Sequence, residues 1–135
     1  MEYSSIKALV VDDLDYIRKS VKSILNDIGV ENINEAVDGI SALRKVIEAH
    51  ESGSPYQIVF CDVHMPNCDG LDFLFQLRAD ERMADLPVVM VSSENSIAII
   101  RRTIELGANN YLLKPFSATV LEDKMKSVLK IEAAV

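Results

Sequence analysis

Short apolar runs alternate with segments of helical period along this chain. Ile6-Lys7-Ala8-Leu9-Val10-Val11 is almost wholly apolar, the pattern of a strand covered on both faces. Leu14, Ile17, Val21, Ile24, Leu25 and Ile28 then recur at the spacing of a helix's inner stripe, and Gly29 stands where a helix C-cap is expected. Ile33 to Ala36 predicts a short second strand, and Ile40, Leu43, Val46 and Ile47 predict a second helix. Gly53-Ser54-Pro55 breaks the chain before a third strand at Gln57 to Cys61. Leu71, Leu74 and Leu77 mark a third helix capped by Asp69. Pro87 to Val91 predicts the fourth strand, with the proline at its start, where a missing N–H is tolerated. Ser96 to Leu106 predicts a fourth helix ended by Gly107, Tyr111 to Leu113 the last strand, and Val120, Leu121, Met125, Val128 and Leu129 the last helix.

Five β-α units in strict alternation predict an α/β fold with a five-stranded parallel sheet, helices on both faces and right-handed crossovers. The expected strand order is 2-1-3-4-5, a flavodoxin-like (βα)5 three-layer sandwich. The chain then reverses direction between the first and third strands, and ligands of open α/β sheets bind at such a point, past the carboxyl ends of the strands. No linker, repeat or low-complexity stretch interrupts the pattern, so residues 1–135 are expected to form one domain with its core at about 6–129.

Polar residues interrupt this pattern at one edge of the sheet. Asp12 and Asp13 end the first strand, Asp62 the third, Ser92 the fourth and Lys114 the fifth. Each alone has an ordinary explanation: an acidic pair at a helix start, a turn aspartate, a serine after a strand. Together they form a constellation. Three carboxylates held close repel one another unless a cation sits among them, and hard oxygen ligands with room for water suit Mg²⁺. Charge neutralisation of that kind lets a carboxylate attack phosphorus, with a lysine and a hydroxyl contacting the phosphoryl oxygens. Phosphoryl transfer needs little beyond positioning and charge, so five residues suffice.

Composition narrows the class. About half of the 135 residues are apolar, enough for a core without metal or disulfide staples. A net charge of −7, from 14 basic and 21 acidic residues, opposes nonspecific binding to nucleic acid or an anionic membrane. No apolar run approaches the roughly 18 residues of a membrane span, and Met1 to Ser5 does not resemble a signal peptide. Two cysteines, Cys61 and Cys68, are too few for a disulfide framework, so a reducing cytoplasm is the expected location. With His64 they would make an incomplete soft-metal site, lacking a fourth ligand.

Val10-Val11-Asp12-Asp13, Cys61-Asp62-Val63-His64-Met65-Pro66 with Asp69-Gly70, Val89-Met90-Val91-Ser92-Ser93-Glu94, and Tyr111-Leu112-Leu113-Lys114-Pro115-Phe116 resemble the motifs of response-regulator receiver domains. The resemblance runs from about Ile6 to Leu129 and is nearest to the CheY-like single-domain chemotaxis regulators. It implies a two-component switch rather than an enzyme acting on other substrates. Asp62 would be the phosphoacceptor, phosphorylated by a sensor histidine kinase or phosphotransfer protein and later losing the group by self-catalysed hydrolysis. Asp13 would ligate Mg²⁺ directly, Asp12 through water, and Asp62 and the His64 backbone carbonyl would complete the metal site. Lys114 would pair with the phosphoryl group, while Ser92 and Tyr111 would be the coupled switch residues. The fourth helix, last strand and last helix would form the surface that meets a downstream protein, and the chain would act as a monomer.

The resemblance favours control of chemotaxis or the flagellar motor, with a phosphorelay or another target enzyme as the alternative. A rival from a different class starts from Asp13-Leu14-Asp15, which resembles the opening motif of haloacid dehalogenase-type phosphatases. That reading leaves Asp62 idle and provides no cap domain. His64 and Glu94, each two positions past a site residue, are expected to border the path of the hydrolytic water and to gate it. Finally, Ile97, Ile99, Ile100, Ile104 and Leu106 are more apolar residues than one buried stripe can hide, so part of the fourth helix is expected to face outward.

Overall fold

The computed structural model describes residues 2–131; Met1 and residues 132–135 stand outside that span, as do the outermost ends of the expected 1–135 domain. The apolar runs form the strands β1 (Lys7–Val11), β2 (Asn32–Ala36), β3 (Ile58–Cys61), β4 (Val88–Ser92) and β5 (Asn110–Leu113). All pair in parallel in the order β2-β1-β3-β4-β5. Between them lie α1 (Asp15–Ile28), α2 (Gly39–Glu51), α3 (Gly70–Ala79), α4 (Ile97–Glu105) and α5 (Ala118–Leu129). The expected α/β architecture and strand order are therefore those of the molecule.

Alternation along each strand builds the layers, because successive side chains point to opposite faces. Ala8 and Val10 of β1 pack with Val21 and Leu25 of α1 and with Leu121 and Met125 of α5. Leu9 and Val11 point the other way, into a second core with Ala42 and Val46 of α2 and Phe73, Leu74 and Leu77 of α3. In register, Leu9 stands opposite Asn34 on β2 and Val59 on β3, which makes β1 the central rung between the edge strand and the rest.

The helix ends follow their sequence signals. Gly29 caps α1 in the left-handed region at φ 112°, and Asp69 caps α3 by accepting from the Asp72 N–H. Three residues depart from the expected inner stripes. Leu14 is the N-cap of α1 and is 42% exposed, Ile40 is 52% exposed, and Val120 is 42% exposed. In α2 the physical reason is close packing: the sheet-facing stripe is Gly39, Ala42, Val46 and Ala49, so the larger Leu43 and Ile47 lie on its flank. Two short 3₁₀ turns, Tyr3–Ser5 and Glu81–Met83, are additions to the expected pattern, and β4 extends one residue further so that Ser92 is its last residue.

Candidate functional site

Backbone hydrogen bonds carry the strand ladder one step beyond the strands, and this places the site. Asp12 follows β1 and its N–H donates to Ala36 O of β2 at 3.1 Å. Asp62 follows β3 and donates to Val11 O of β1 at 3.0 Å. Lys114 follows β5 and donates to Ser92 O of β4 at 2.9 Å. Each residue is thus held in line with the sheet while its side chain leaves the core at the carboxyl edge. The reversal of chain direction between β1 and β3 opens the space into which Asp12 and Asp62 project.

Asp12, Asp13 and Asp62 each bring one carboxylate oxygen within 4.8 Å of the others. Asp12 and Asp62 are 2% and 7% exposed, whereas Asp13 is open to solvent. Lys114 Nζ lies 2.9 Å from Asp12 Oδ2 and 3.5 Å from Asp62 Oδ2, and is itself mostly covered. One ammonium thus pairs with two of the three carboxylates and, among the described residues, makes no pair with Asp13. Asp62 Oδ1 also accepts from the Val63 N–H at 2.7 Å, which fixes the plane of its carboxyl. Burial pushes the Asp62 carboxyl above its ordinary value; Lys114 opposes the rise and Asp12 adds to it. Crowded, partly desolvated oxygens short of positive charge, with one of them open to water, fit a small hard divalent cation.

Helix α3 reaches this edge because Gly70 lacks a side chain. A Cβ there would lie 2.1 Å from the Asp62 carbonyl oxygen, and the Gly70 N–H donates to Val63 O at 2.8 Å. The segment that follows β3 and the start of α3 are therefore in direct backbone contact.

The remaining sequence-predicted residues meet on the other side of Asp62, around Glu94. Ser92 is buried, and its Oγ accepts from the Glu94 N–H at 3.1 Å. The half-buried Tyr111 donates its hydroxyl to the Glu94 carbonyl at 2.8 Å. Glu94 Oε1 accepts from the Ser96 N–H, and Oε2 lies 2.9 Å from His64 Nε2. The His64 contact, followed by the Ser96 N–H, holds the Glu94 carboxyl below its usual range. His64 is 63% exposed at its side chain, so its ring lies over the surface rather than among the three aspartates.

Other candidates fall outside. The carboxylate of Asp15, which the phosphatase reading needs near Asp13, is bonded to Lys19 and Arg18. Cys61 and Cys68 are free and buried, and burial pushes both thiols up, away from the thiolate a soft metal needs. Two residues were missed from sequence. Arg18 contacts the Asp12 carbonyl, and Asn67, with φ 68°, donates to Asp38 Oδ2 and ties the loop after Asp62 to the start of α2. Arg18 lies three residues past Asp15 on a helix, a spacing that signals a local ion pair but not a reach back to Asp12.

The family model for the response regulator receiver domain matches residues 8–126. A chemotaxis protein CheY1 of Helicobacter pylori is 34% identical over 124 residues, covering 92% of this chain and 97% of the relative. A chemotaxis protein CheY-3 of Vibrio cholerae is 35% identical over 126 residues, covering 93% of each. Among solved structures, chemotaxis protein CheY4 of Vibrio cholerae superposes with a TM-score of 0.81 at 30% identity, covering 91% of this chain and 98% of that one.

Proposed function

This chain belongs to the response regulator receiver family, with CheY-like chemotaxis regulators among its relatives, and on that premise we propose that it is a phosphorylation-driven signalling switch with Asp62 as its acceptor. The observation that supports this best is the meeting of Asp12, Asp13, Asp62 and Lys114 at one sheet edge. A carboxylate oxygen of Asp62 attacks the phosphorus of a phosphohistidine on a sensor kinase or phosphotransfer protein. The O–P bond forms as the P–N bond breaks, and the departing imidazole takes up a proton. Asp12, Asp13, Asp62 and the His64 carbonyl are the residues that would hold Mg²⁺, which when bound supplies charge neutralisation for the incoming phosphoryl group. Lys114, now paired with Asp12 and Asp62, turns its charge to the phosphoryl oxygens.

Ser92 and Tyr111 convert that change into an altered surface. Both are tied to Glu94 in the β4–α4 segment, so drawing the Ser92 hydroxyl toward the phosphoryl group disturbs the bonds at Glu94, to which Tyr111 is attached. The phosphoryl group biases an existing equilibrium because it bonds Ser92 in only one of the two states. The responsive surface is α4, β5 and α5, where Ile97 and Ile104 are 73% and 47% exposed. Its partner is a downstream protein, a chemotaxis or motor component in the favoured reading, and the relatives' being chemotaxis proteins supports the chemotaxis part of it. The chain works as a single, monomeric receiver unit in the cytoplasm, and self-catalysed hydrolysis with His64 and Glu94 beside the water path ends the signal. No helix among the described residues is long and apolar enough to cross a membrane.

The test is exposure of the protein to acetyl phosphate with Mg²⁺. Asp62 acquires the phosphoryl group, and Asp62→Asn, nearly isosteric, remains folded and unlabelled. Labelling of the variant at the parental rate, or steady turnover of a general phosphomonoester, overturns the reading.

A further inference from the structure

Arg18 stands outside the acidic trio, yet its guanidinium joins three segments around it. Nη1 donates to the Asp12 carbonyl at 2.7 Å, Nε to Glu35 Oε1 at 3.2 Å, and Nη2 to Asp15 Oδ1 at 3.0 Å. Only 12% of the side chain is exposed. We propose that Arg18 is a positioning residue for the metal site: by clamping the Asp12 carbonyl to Glu35 of β2, it fixes the turn that aims Asp12 and Asp13 and thereby sets the Mg²⁺ affinity of the trio. This rests on the metal reading of the trio given above.

The turn needs such a clamp. The α1 N-cap, Leu14, has no side-chain oxygen to offer, so the usual capping bond is missing there. Asp12 Oδ1 instead accepts from the N–H of the N-cap residue Leu14 at 2.9 Å, closing a local turn. That bond ties the turn to itself but not to its surroundings. The Asp12 N–H bond to Ala36 O and the Lys114 pairing hold Asp12 to the sheet, and Arg18 adds the hold on its carbonyl, its planar fork keeping that oxygen and the Glu35 carboxylate in a fixed relation. Glu35 is held in turn: Lys22 Nζ lies 3.8 Å from its carboxylate and Lys45 donates to its carbonyl. The edge strand is thus the anchor and the β1–α1 turn is the part anchored. Metal ligands are commonly oriented by partners one layer out in this way.

Charge and position act in opposite directions here. A fixed cation beside a cation site opposes Mg²⁺, so if Arg18 acted through its charge, its removal would tighten binding. If it acts by position, its removal weakens binding. Glu35 and Asp15 offset the guanidinium charge locally, leaving position as the dominant effect.

Mg²⁺ titration of the full chain by calorimetry, with the Mg²⁺-dependent shift of the melting midpoint as a second readout, decides between them. Arg18→Ala raises the Kd for Mg²⁺ roughly tenfold or more, the scale on which partners of metal ligands act. Arg18→Lys, which keeps the charge but cannot bridge both acceptors, falls between the parent and Arg18→Ala. Glu35→Ala weakens binding in the same direction by a smaller factor, and adding it to Arg18→Ala costs nothing further. With acetyl phosphate, the Mg²⁺ concentration for half-maximal labelling of Asp62 rises in Arg18→Ala while the maximal rate stays near that of the parent. An unchanged or lower Kd in a cooperatively melting Arg18→Ala overturns the proposal; if that variant does not fold, a parental Kd in Arg18→Lys overturns it equally. If the parent binds no Mg²⁺, the metal reading fails and this inference with it. If the parent binds Mg²⁺ and Arg18→Ala binds it as tightly, only the role of Arg18 fails.

Discussion

Helix α3 buries Gly70, Phe73, Leu74 and Leu77, whereas α4, one residue shorter, buries only Thr103. The two helices come after Asp62, which follows β3, and Ser92, which ends β4, so they flank the proposed acceptor and the proposed switch respectively. On the α3 side, backbone meets backbone at Gly70 and Asp62. Arg78 near the end of α3 also reaches out, donating to Gly107 O at 3.1 and 3.0 Å and to Met83 O at 3.0 Å, and so pins the loop after α4 as well. On the α4 side, a few polar bonds through Glu94 and the Ser96 cap hold the helix start, and Ile97 lies 73% exposed. Segments with few buried apolar contacts are those that open or shift most cheaply. The contrast teaches how one sheet edge holds a firmly packed side and a lightly packed side next to each other.

The largest expected effect tests that contrast directly. Phe73→Ala destabilises the protein by about 3–5 kcal/mol, since it empties a fully buried site, while Ile97→Ala stays within about 0.5 kcal/mol of the parent. Urea denaturation measures both, and comparable losses for the two would show that α4 is as firmly held as α3.

Hydrogen exchange with and without beryllofluoride and Mg²⁺ sharpens the comparison. In the parent, protection changes in α4 and leaves α3 nearly constant. Ser92→Ala still takes up the acceptor-site ligand, but the change in α4 shrinks by roughly fivefold or more, the lower end of ordinary coupling between sites. A full parental response in α4 would show that the signal bypasses Ser92.

His64 and Glu94 sit where the firmly and lightly packed sides touch, and their expected effect is on lifetime. His64→Asn replaces an imidazole bonded to Glu94 with a smaller amide, opening the approach to Asp62. Decay of the phosphorylated protein in Mg²⁺ is expected to quicken several-fold. Slower decay in the variant would mean that His64 assists the water rather than obstructing it.

The smallest effect concerns Asp62 without metal. Burial, opposed by Lys114 and reinforced by Asp12, raises its carboxyl in the folded state. An acid raised on folding costs stability once pH exceeds its unfolded value, and the cost grows as pH rises through the folded value. Asp62→Asn removes that cost. In a chelating buffer its urea midpoint exceeds that of the parent at pH 7, and the gap closes as pH falls toward 4. A variant less stable than the parent at pH 7 would show that the Lys114 pairing outweighs burial.

Much of this was legible in the residues, for reasons that differ from element to element. The β1 run reads as a doubly covered strand because both of its faces meet a core, leaving no polar alternation to confuse it. The proposed site residues could be found because charge directly after an apolar run is out of place in a buried strand, and Asp12, Asp62 and Lys114 stand there. Leu14 falls outside its expected stripe because it is the N-cap rather than part of α1, and Ile40 because periodicity reports a face, not how closely that face approaches the sheet. Small residues in α2 let it approach closely and put its large ones on the flank.

The sequence by itself determined the alternation of strands and helices, the edge on which the charges gather and the family to which the chain belongs. These depend on local pattern and on spacing along the chain, which are set before any packing occurs. Only the tertiary structure decided that Arg18 reaches the Asp12 carbonyl and Glu35, and that Glu94 joins His64, Ser92 and Tyr111. Each is a relation between side chains or faces brought together by parallel crossovers. Hydrogen bonds of that kind depend on distances of a few ångströms, which no spacing in the chain encodes.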